Sequence, residues 1–306
     1  MPELPEVTTT VKGLQKVLLG LVITDVWSDL PVKDRVHESL KSSSSYASFK
    51  KQVGGQKVIN VERRAKNILI NLSGNKTILI HMKMTGHIIY GKYIYKKKEN
   101  IWIPSPGERK ELFDPFNKFL HVVFTLSDGK QVVLSDMRKF AKVVILPTDT
   151  AHQTIHLSGI GPEPLEKNFT FEKFKQRLLK RPSGNIKTVL MDQSVIAGIG
   201  NIYSDEMLWL SGIHPKSRSA KVPAMILKKL YAAMKDVLKK GIDFGGDSTS
   251  DYRDIDGKRG AFQSHHNVYR RTGEPCGKAN CRGVILRKVI NGRSAHFCSM
   301  HQKLFS

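Results

Sequence analysis

The pattern that most constrains this chain is a change of period near residue 170. Before it come seven short β-branched runs: VITDVW (22–27), KVINV (57–61), NILINL (67–72), TILIHM (77–82), HVVFTL (121–126), QVVLSD (131–136) and KVVIL (142–146). Their length and residue types are those of strands. The turn-forming segments SGNK and SDGK separate two adjacent pairs, which predicts hairpins in an antiparallel sandwich or barrel. One helix precedes the strands. Val7, Val11, Leu14 and Leu18 fall at helical spacing, Pro5 suits a first turn and Gly20 a stop. SSSSY near 42–46 and the lysine-rich YKKKENIWIPSPGERK read as loops, the second as an insertion. After residue 170, FEKFKQRLLK, GNIKTVLMDQ, NIYSDEMLWL and VPAMILKKLYAAMKDVLKK read as helices with no strand between them. The tail from about 262 returns to short strands.

That tail holds all three cysteines. Four residues separate Cys276 from Cys281, sixteen more precede Cys298, and two more separate Cys298 from His301. An odd, clustered set of thiols in a chain with no secretory leader pattern points to metal rather than disulfides. Two close pairs of thiolate and imidazole ligands across a hairpin are what tetrahedral zinc requires, which predicts one structural Zn2+ on Cys276, Cys281, Cys298 and His301. Asn291-Gly292 between the pairs signals a type I′ turn. Arg293, just past it, is either a phosphate ligand held at a rigid tip or a solvated turn residue.

Charge narrows the partner. With 50 Lys+Arg against 27 Asp+Glu, the formal charge is +23. Such an excess repels itself unless a polyanion is bound, and nucleic acid is the first candidate. A membrane surface is second, but no apolar run approaches the roughly 18 residues of a span, and no long basic amphipathic helix stands out.

The opening MPELPEV raises a chemical option. Removal of Met1 would make Pro2 a secondary α-amine, a group that titrates near neutrality and attacks carbonyl-like carbons. Glu3 would stand beside it as a general acid or base. The alternative is a processing site followed by an ordinary helix start, and these seven residues leave both open.

Read together, MPELPEV, VIAGIGNIYSDEMLWLSGIHP (195–215) and the cysteine tail resemble the formamidopyrimidine-DNA glycosylase family. The resemblance runs from residue 2 to about 303 and takes in VERRAKNILINL (61–72), HMKMTGH (81–87), SDMRKFAK (135–142), GPEPL (161–165), KTVLMDQ (187–193) and DYRDIDGKRGAFQ (251–263). It implies an α+β multidomain fold: an N-terminal helix with an antiparallel β-sandwich (1–147), a helical helix-two-turn-helix domain with a lesion-capping loop (148–261), and a zinc ribbon (262–306). It also implies excision of oxidised purines from DNA followed by strand nicking. In that reading Pro2 forms a Schiff base with the sugar, Glu3 is its acid/base partner and Glu6 supports them. Lys66 and Arg293 contact phosphates and assist the chemistry. A base flipped from the duplex leaves a void, and Met84, Arg138 and Phe140 match the residues that fill it. Asn201 matches a phosphate-binding asparagine. The loop GGDSTSDYRDIDGKRG (245–260) matches the segment that closes over the base, and its composition reads as a mobile lid. The implied partner is damaged double-stranded DNA, with no membrane, a monomeric state and a cytoplasmic, nucleoid-associated location.

The chain departs from the family pattern in places. The first cysteine pair is wider than the usual CxxC, and His301 stands where cysteine is usual. Lys83 replaces a glycine, MRKFA replaces PRRFG, and Phe119 occupies a position where a DNA-contacting histidine is common. Two other functions compete: an endonuclease VIII-like preference for oxidised pyrimidines, which the PELPEV start disfavours, and a non-catalytic DNA-binding module, which the presence of Pro2, Glu3 and Lys66 disfavours.

Overall fold

A computed structural model describes residues 1–30 and 43–306. The chain forms two compact units: residues 1–158 with 244–261, and residues 159–243 with 262–306. This differs from the three-way division expected above. The 244–261 segment packs with the sandwich rather than with the helices, and the cysteine-bearing tail shares a unit with the helices.

In the first unit, helix α1 (Leu4–Leu18) is followed by β1 (Ile23–Ser28), α2 (Ser43–Val53), β2 (Val58–Arg64), β3 (Asn67–Leu72), β4 (Lys76–His81), β5 (His87–Gly91), β6 (Tyr93–Lys96), β7 (Ile101–Pro104), β8 (Leu120–Leu126), β9 (Gln131–Ser135) and β10 (Lys142–Pro147). Two four-stranded antiparallel sheets, β1-β8-β9-β5 and β10-β4-β3-β2, share one core. Alternate side chains from each sheet point inward, Val122, Phe124 and Leu134 from one, Ile68, Ile70 and Ile78 from the other. Val7, Val11, Leu14 and Leu18 of α1 join that core on a single helical stripe.

Two expected loops are regular structure. Residues 43–46 of SSSSY open α2, while Ser42 lies outside the described residues. Serines are weak helix formers, but Phe49 and Val53 lie four apart and are buried in the core, and the Tyr46 hydroxyl donates to the Val26 carbonyl at 2.7 Å. Burial of that face overrides local propensity. The lysine-rich insertion contains the hairpin β6–β7, with Tyr95 opposite Trp102. These two rings and Trp27 of β1 stand with centroids 5.3–6.2 Å apart. Strand β5, not expected as a strand, pairs with β9.

In the second unit the helices are α3 (Phe171–Leu178), α4 (Ile186–Met191), α5 (Asn201–Ser211) and α6 (Ala224–Asp243), followed by the hairpin β11 (Ile285–Ile290) and β12 (Arg293–Cys298). Between α4 and α5 the chain makes a double turn. Gln193 closes it: its side chain accepts from Gly198 N–H and donates to the carbonyls of Met191 and Ile199, all within 2.9 Å. Gly198 sits at φ +83°, where only glycine is unstrained.

Candidate active site and metal centre

The start of α1 is a buried carboxylate corner. Glu3 is the N-cap and Glu6 the third helical residue, and they form a reciprocal capping box. Glu3 is 2% and Glu6 1% exposed, and Pro2 is buried beside them. Glu6 Oε2 accepts the Glu3 N–H at 2.7 Å, and Glu6 Oε1 accepts the Asp247 N–H at 2.7 Å. Its main-chain carbonyl accepts the hydroxyls of Thr10 and Tyr252, each at 3.0 Å. Glu6 therefore ties the candidate nucleophile's neighbourhood to the 244–261 segment. The approach needs glycine: Gly246 has φ +89°, and a Cβ there would lie 2.9 Å from Glu6 Cγ. Negative charge at this helix start is also favoured by the positive end of the helix dipole.

Lys66 lies in the tight β2–β3 turn and is 7% exposed. Near it, His81 ends β4, between its register partners Asn67 and Lys142. Burial, reinforced by the charges of Lys83, Lys66 and Lys142, pulls its pKa down to about 3. The neutral ring accepts the Lys83 N–H on Nδ1 at 3.0 Å. Lys83 itself has φ +53°, the conformation that glycine adopts without strain, which accounts for the glycine usual at this place.

The residues expected to fill a duplex void sit on two neighbouring turns. Asp136 clips those turns together. It accepts the Thr85 hydroxyl and the Arg138 and Ala141 amides, the last at 2.7 Å, while Thr85 Oγ1 also accepts from Arg138 N–H at 3.1 Å. Met84 adjoins Thr85 in the first turn and is half-buried, whereas Arg138 and Phe140 are exposed on the second. The Arg138 guanidinium lies 4.4 Å from the Phe140 ring centroid, so the cation and the ring form one stacked unit. Asp136 was not singled out from sequence, and an acid directly after the strand QVVLS was its only signal.

In the second unit, Asn201 opens α5 and donates through Nδ2 to Ser294 Oγ at 3.2 Å. Arg293, exposed, is the residue before that serine, so the structure brings both candidate phosphate ligands to one place. A buried ion network fixes it. The Lys187 ammonium donates to Asp205 Oδ1 and, at 2.7 Å, to the Ser294 carbonyl; Asp205 Oδ2 accepts from the His296 amide at 2.9 Å and from its Nδ1–H at 3.0 Å. Lys187 and Asp205 are both fully buried. Next to them, the Glu206 carboxylate accepts the amides of Asn267, Val268 and Tyr269, each at 2.9 Å. Sequence reading passed over Lys187, Asp205 and Glu206. The available signal was two adjacent acids set between the apolar stretches Ile202–Tyr203 and Met207–Leu210 of one helix.

The four expected metal ligands do converge. Cys276 Sγ, Cys281 Sγ, Cys298 Sγ and a nitrogen of His301 all lie within 4.8 Å of one another. His301 Nδ1 is 3.3 Å from Cys276 Sγ and 3.8 Å from Cys281 Sγ, and Cys281 Sγ is 3.5 Å from Cys298 Sγ. Metal–ligand lengths of about 2.0–2.3 Å give tetrahedral edges of about 3.5–3.8 Å, so the donor set fits such an ion. The surroundings prepare it. His301 Nε2–H donates to the Trp209 carbonyl at 3.0 Å, leaving Nδ1 as the ligand atom. The Gly283 and Met300 amides donate to Cys281 and Cys298 sulfur at 3.4 Å, as thiolates require. The wider Cys276–Cys281 loop is accommodated by Asn280 at φ +62°.

Residues 1–143 match the formamidopyrimidine-DNA glycosylase N-terminal domain family, and residues 160–253 the formamidopyrimidine-DNA glycosylase H2TH domain family. Formamidopyrimidine-DNA glycosylases of Pelotomaculum thermopropionicum and Heliobacterium modesticaldum are each 36% identical to the chain, over 99% of its length and 100% of theirs. Among solved structures, a Lactococcus lactis Fpg mutant with Fapy-dG containing DNA superposes with a TM-score of 0.82 at 27% identity, covering 99% of this chain and 100% of that one. The Lactococcus lactis Fpg complex with abasic-site DNA gives 0.81 at 28% identity, covering 98% and 99%. A helix-capped antiparallel sandwich, a helix-two-turn-helix and a three-cysteine, one-histidine ribbon are the parts of a DNA-repair glycosylase. The chain belongs to the formamidopyrimidine-DNA glycosylase family.

Proposed function

We propose that this protein is a bifunctional DNA glycosylase and abasic-site lyase that excises 8-oxoguanine and formamidopyrimidines from duplex DNA. The observation that carries the reading is the buried Glu3–Glu6 corner around Pro2, held to the loop that is to cover the base by the Asp247–Glu6 hydrogen bond. With Met1 removed, the Pro2 nitrogen attacks the sugar C1′; the glycosidic bond breaks and the base leaves with its electron pair and takes up a proton. Glu3 protonates the ring oxygen as the C1′–O bond opens, which leaves an iminium between Pro2 and C1′. The iminium acidifies C2′–H; loss of that proton expels the 3′-phosphate, and a second proton loss expels the 5′-phosphate. Water then hydrolyses the iminium and frees Pro2.

Lys66 and Arg293 hold phosphates near the reacting sugar, and Asn201 holds another. Met84, Arg138 and Phe140 occupy the space the flipped nucleotide leaves, and residues 245–260 cover the base. One Zn2+ on Cys276, Cys281, Cys298 and His301 fixes the ribbon. The protein acts as a monomer on damaged DNA in the cytoplasm.

Borohydride trapping tests this. Duplexes with 8-oxoguanine opposite cytosine and duplexes with thymine glycol are compared, using protein whose intact mass shows Met1 removed, with Pro2→Gly as control. A covalent adduct on the purine lesion, lost in the control, is the expected result. Trapping mainly on thymine glycol would transfer the protein to pyrimidine substrates, and no adduct on either would leave a DNA-binding module.

A further inference from the structure

The loop at 245–260, expected from its composition to be mobile, is folded back on itself and anchored at both ends. At one end Asp247 N–H is held by Glu6. At the other, the anchors come from residues 105–119, which join β7 to β8 and run through two 3-10 turns, Lys110–Phe113 and Pro115–Lys118. Asp114, between those turns, receives the Arg253 guanidinium as a fork: Nε and Nη2 donate to its two oxygens at 3.1–3.2 Å. Arg253 is 3% exposed, and its remaining nitrogen, Nη1, donates to the Ser250 and Tyr252 carbonyls at 3.1 and 2.9 Å. The Phe116 ring covers the guanidinium at 4.9 Å.

A second set of contacts repeats the arrangement. Arg109 donates to the carbonyls of Asp256 at 3.0 Å and Ile255 at 3.3 Å. Gly257, at φ +80°, is packed so closely that a Cβ would lie 2.8 Å from the Glu111 carbonyl and 2.9 Å from Asn117 Nδ2. Asn117 is itself fixed, donating to the Glu111 carbonyl at 2.7 Å and accepting from His87 Nε2–H at 2.8 Å.

We propose that the 105–119 segment is a positioning brace for the loop that covers the damaged base, acting through Asp114 on Arg253 and so on the backbone of Ser250–Tyr252. Asp114 touches no reacting atom. It holds a buried cation whose other donors fix two carbonyls of the loop, so without it the loop keeps its chain path but loses its set position. The brace rests on reading 245–260 as the base-covering loop, and it predicts a division between substrates. An abasic site has no base to cover, so its nicking needs the Pro2 corner and the ribbon but not a preset loop. Excision of 8-oxoguanine needs all three.

The test uses the full-length protein with Asp114→Ala, Asp114→Glu and Phe116→Ala, comparing single-turnover excision of 8-oxoguanine with nicking of a preformed abasic site. Asp114→Ala is expected to slow excision by about 10- to 100-fold, the scale of a roughly 1 Å misplacement, and to leave abasic-site nicking within about twofold of wild type; Asp114→Glu restores part of the loss. Equal losses on both substrates, or none on either, would overturn the brace. If Asp114→Ala fails to fold, as judged by thermal melting, the same comparison is made on Phe116→Ala, whose ring is 38% exposed and whose loss spares the core. Wild-type protein inert on both duplexes would sink the functional reading, a result distinct from a variant that fails to separate them.

Discussion

The hairpins β11–β12 and β6–β7 are both two-stranded antiparallel ribbons, and neither has a third strand beside it among the described residues. A lone hairpin is at best marginally stable in water, so each needs a clip. In β11–β12 the clip is the three-cysteine, one-histidine cluster at the open end, with Lys187 holding the Ser294 carbonyl near the turn. In β6–β7 it is an aromatic cluster of Tyr95 and Trp102 against Trp27, with Tyr93 buried beneath. The turns differ too. Asn291 and Gly292 both have positive φ, as a type I′ turn demands, whereas the tip of β6–β7 has the cationic run Lys96–Lys98 and a single left-handed residue, Asn100. One hairpin carries its turn signal and its cysteine–histidine clip in neighbouring sequence. The other borrows a ring from a distant strand.

Removing the metal is expected to have the largest effect. Structural zinc contributes about 10–16 kcal/mol of apparent folding energy in isolated zinc-finger peptides. Chelation, or Cys298→Ser, should therefore open β11–β12 to hydrogen exchange and abolish DNA cleavage, while exchange in β6–β7 stays at the wild-type level. Loss of protection in both hairpins would show that the clips are not independent.

Next in size is Asp205→Ala. It leaves Lys187 buried without its carboxylate partner, a change that costs about 3–5 kcal/mol. Chemical denaturation should show that loss, and exchange should rise at Ser294 and His296 before it rises elsewhere in the ribbon. Trp102→Ala removes a half-buried ring, so the cost should fall to about 1–2 kcal/mol, below that of a fully buried aromatic. A lower melting temperature with unchanged metal content is the expected signature. The smallest effect is that of Asn291→Ala, about 1 kcal/mol for placing alanine in a left-handed conformation. If Asn291→Ala destabilised the protein more than Trp102→Ala, the turn rather than the clip would be the main determinant.

The same contrast explains what could be read in advance. The seven strand runs, α1 and the four later helices were legible because periodicity and turn residues are local. So was the cluster of three cysteines and one histidine, whose spacing reflects a closed loop of the chain itself. Helix α2 was not legible, because its serines argue locally for a loop and only Phe49 and Val53 meeting the sandwich core reverse that. Pro2 and Glu3 were raised by their own chemistry at the chain start and chosen over an ordinary helix start through resemblance, whereas Lys66 was found through resemblance alone: it is one of many lysines until the β2–β3 turn buries it. Asp136, Lys187, Asp205 and Arg253 were missed for a common reason. Each is a charged group with at least one partner supplied by another part of the chain: Thr85 for Asp136, Asp205 and Lys187 for each other, and Asp114 for Arg253.

By itself, then, the sequence determined the sandwich strands, the helical segment, the ribbon with its four ligands, and a polyanion as partner, since periodicity, ligand spacing and net charge are properties of the chain in isolation. The tertiary structure alone decided which buried charges are paired, that an apparent insertion folds into an aromatic-clipped hairpin, and that a glycine- and aspartate-rich loop is anchored by hydrogen bonds rather than free. Burying a charge is unfavourable until its partner is in place, and that partner comes from residues whose separation along the chain carries no pattern.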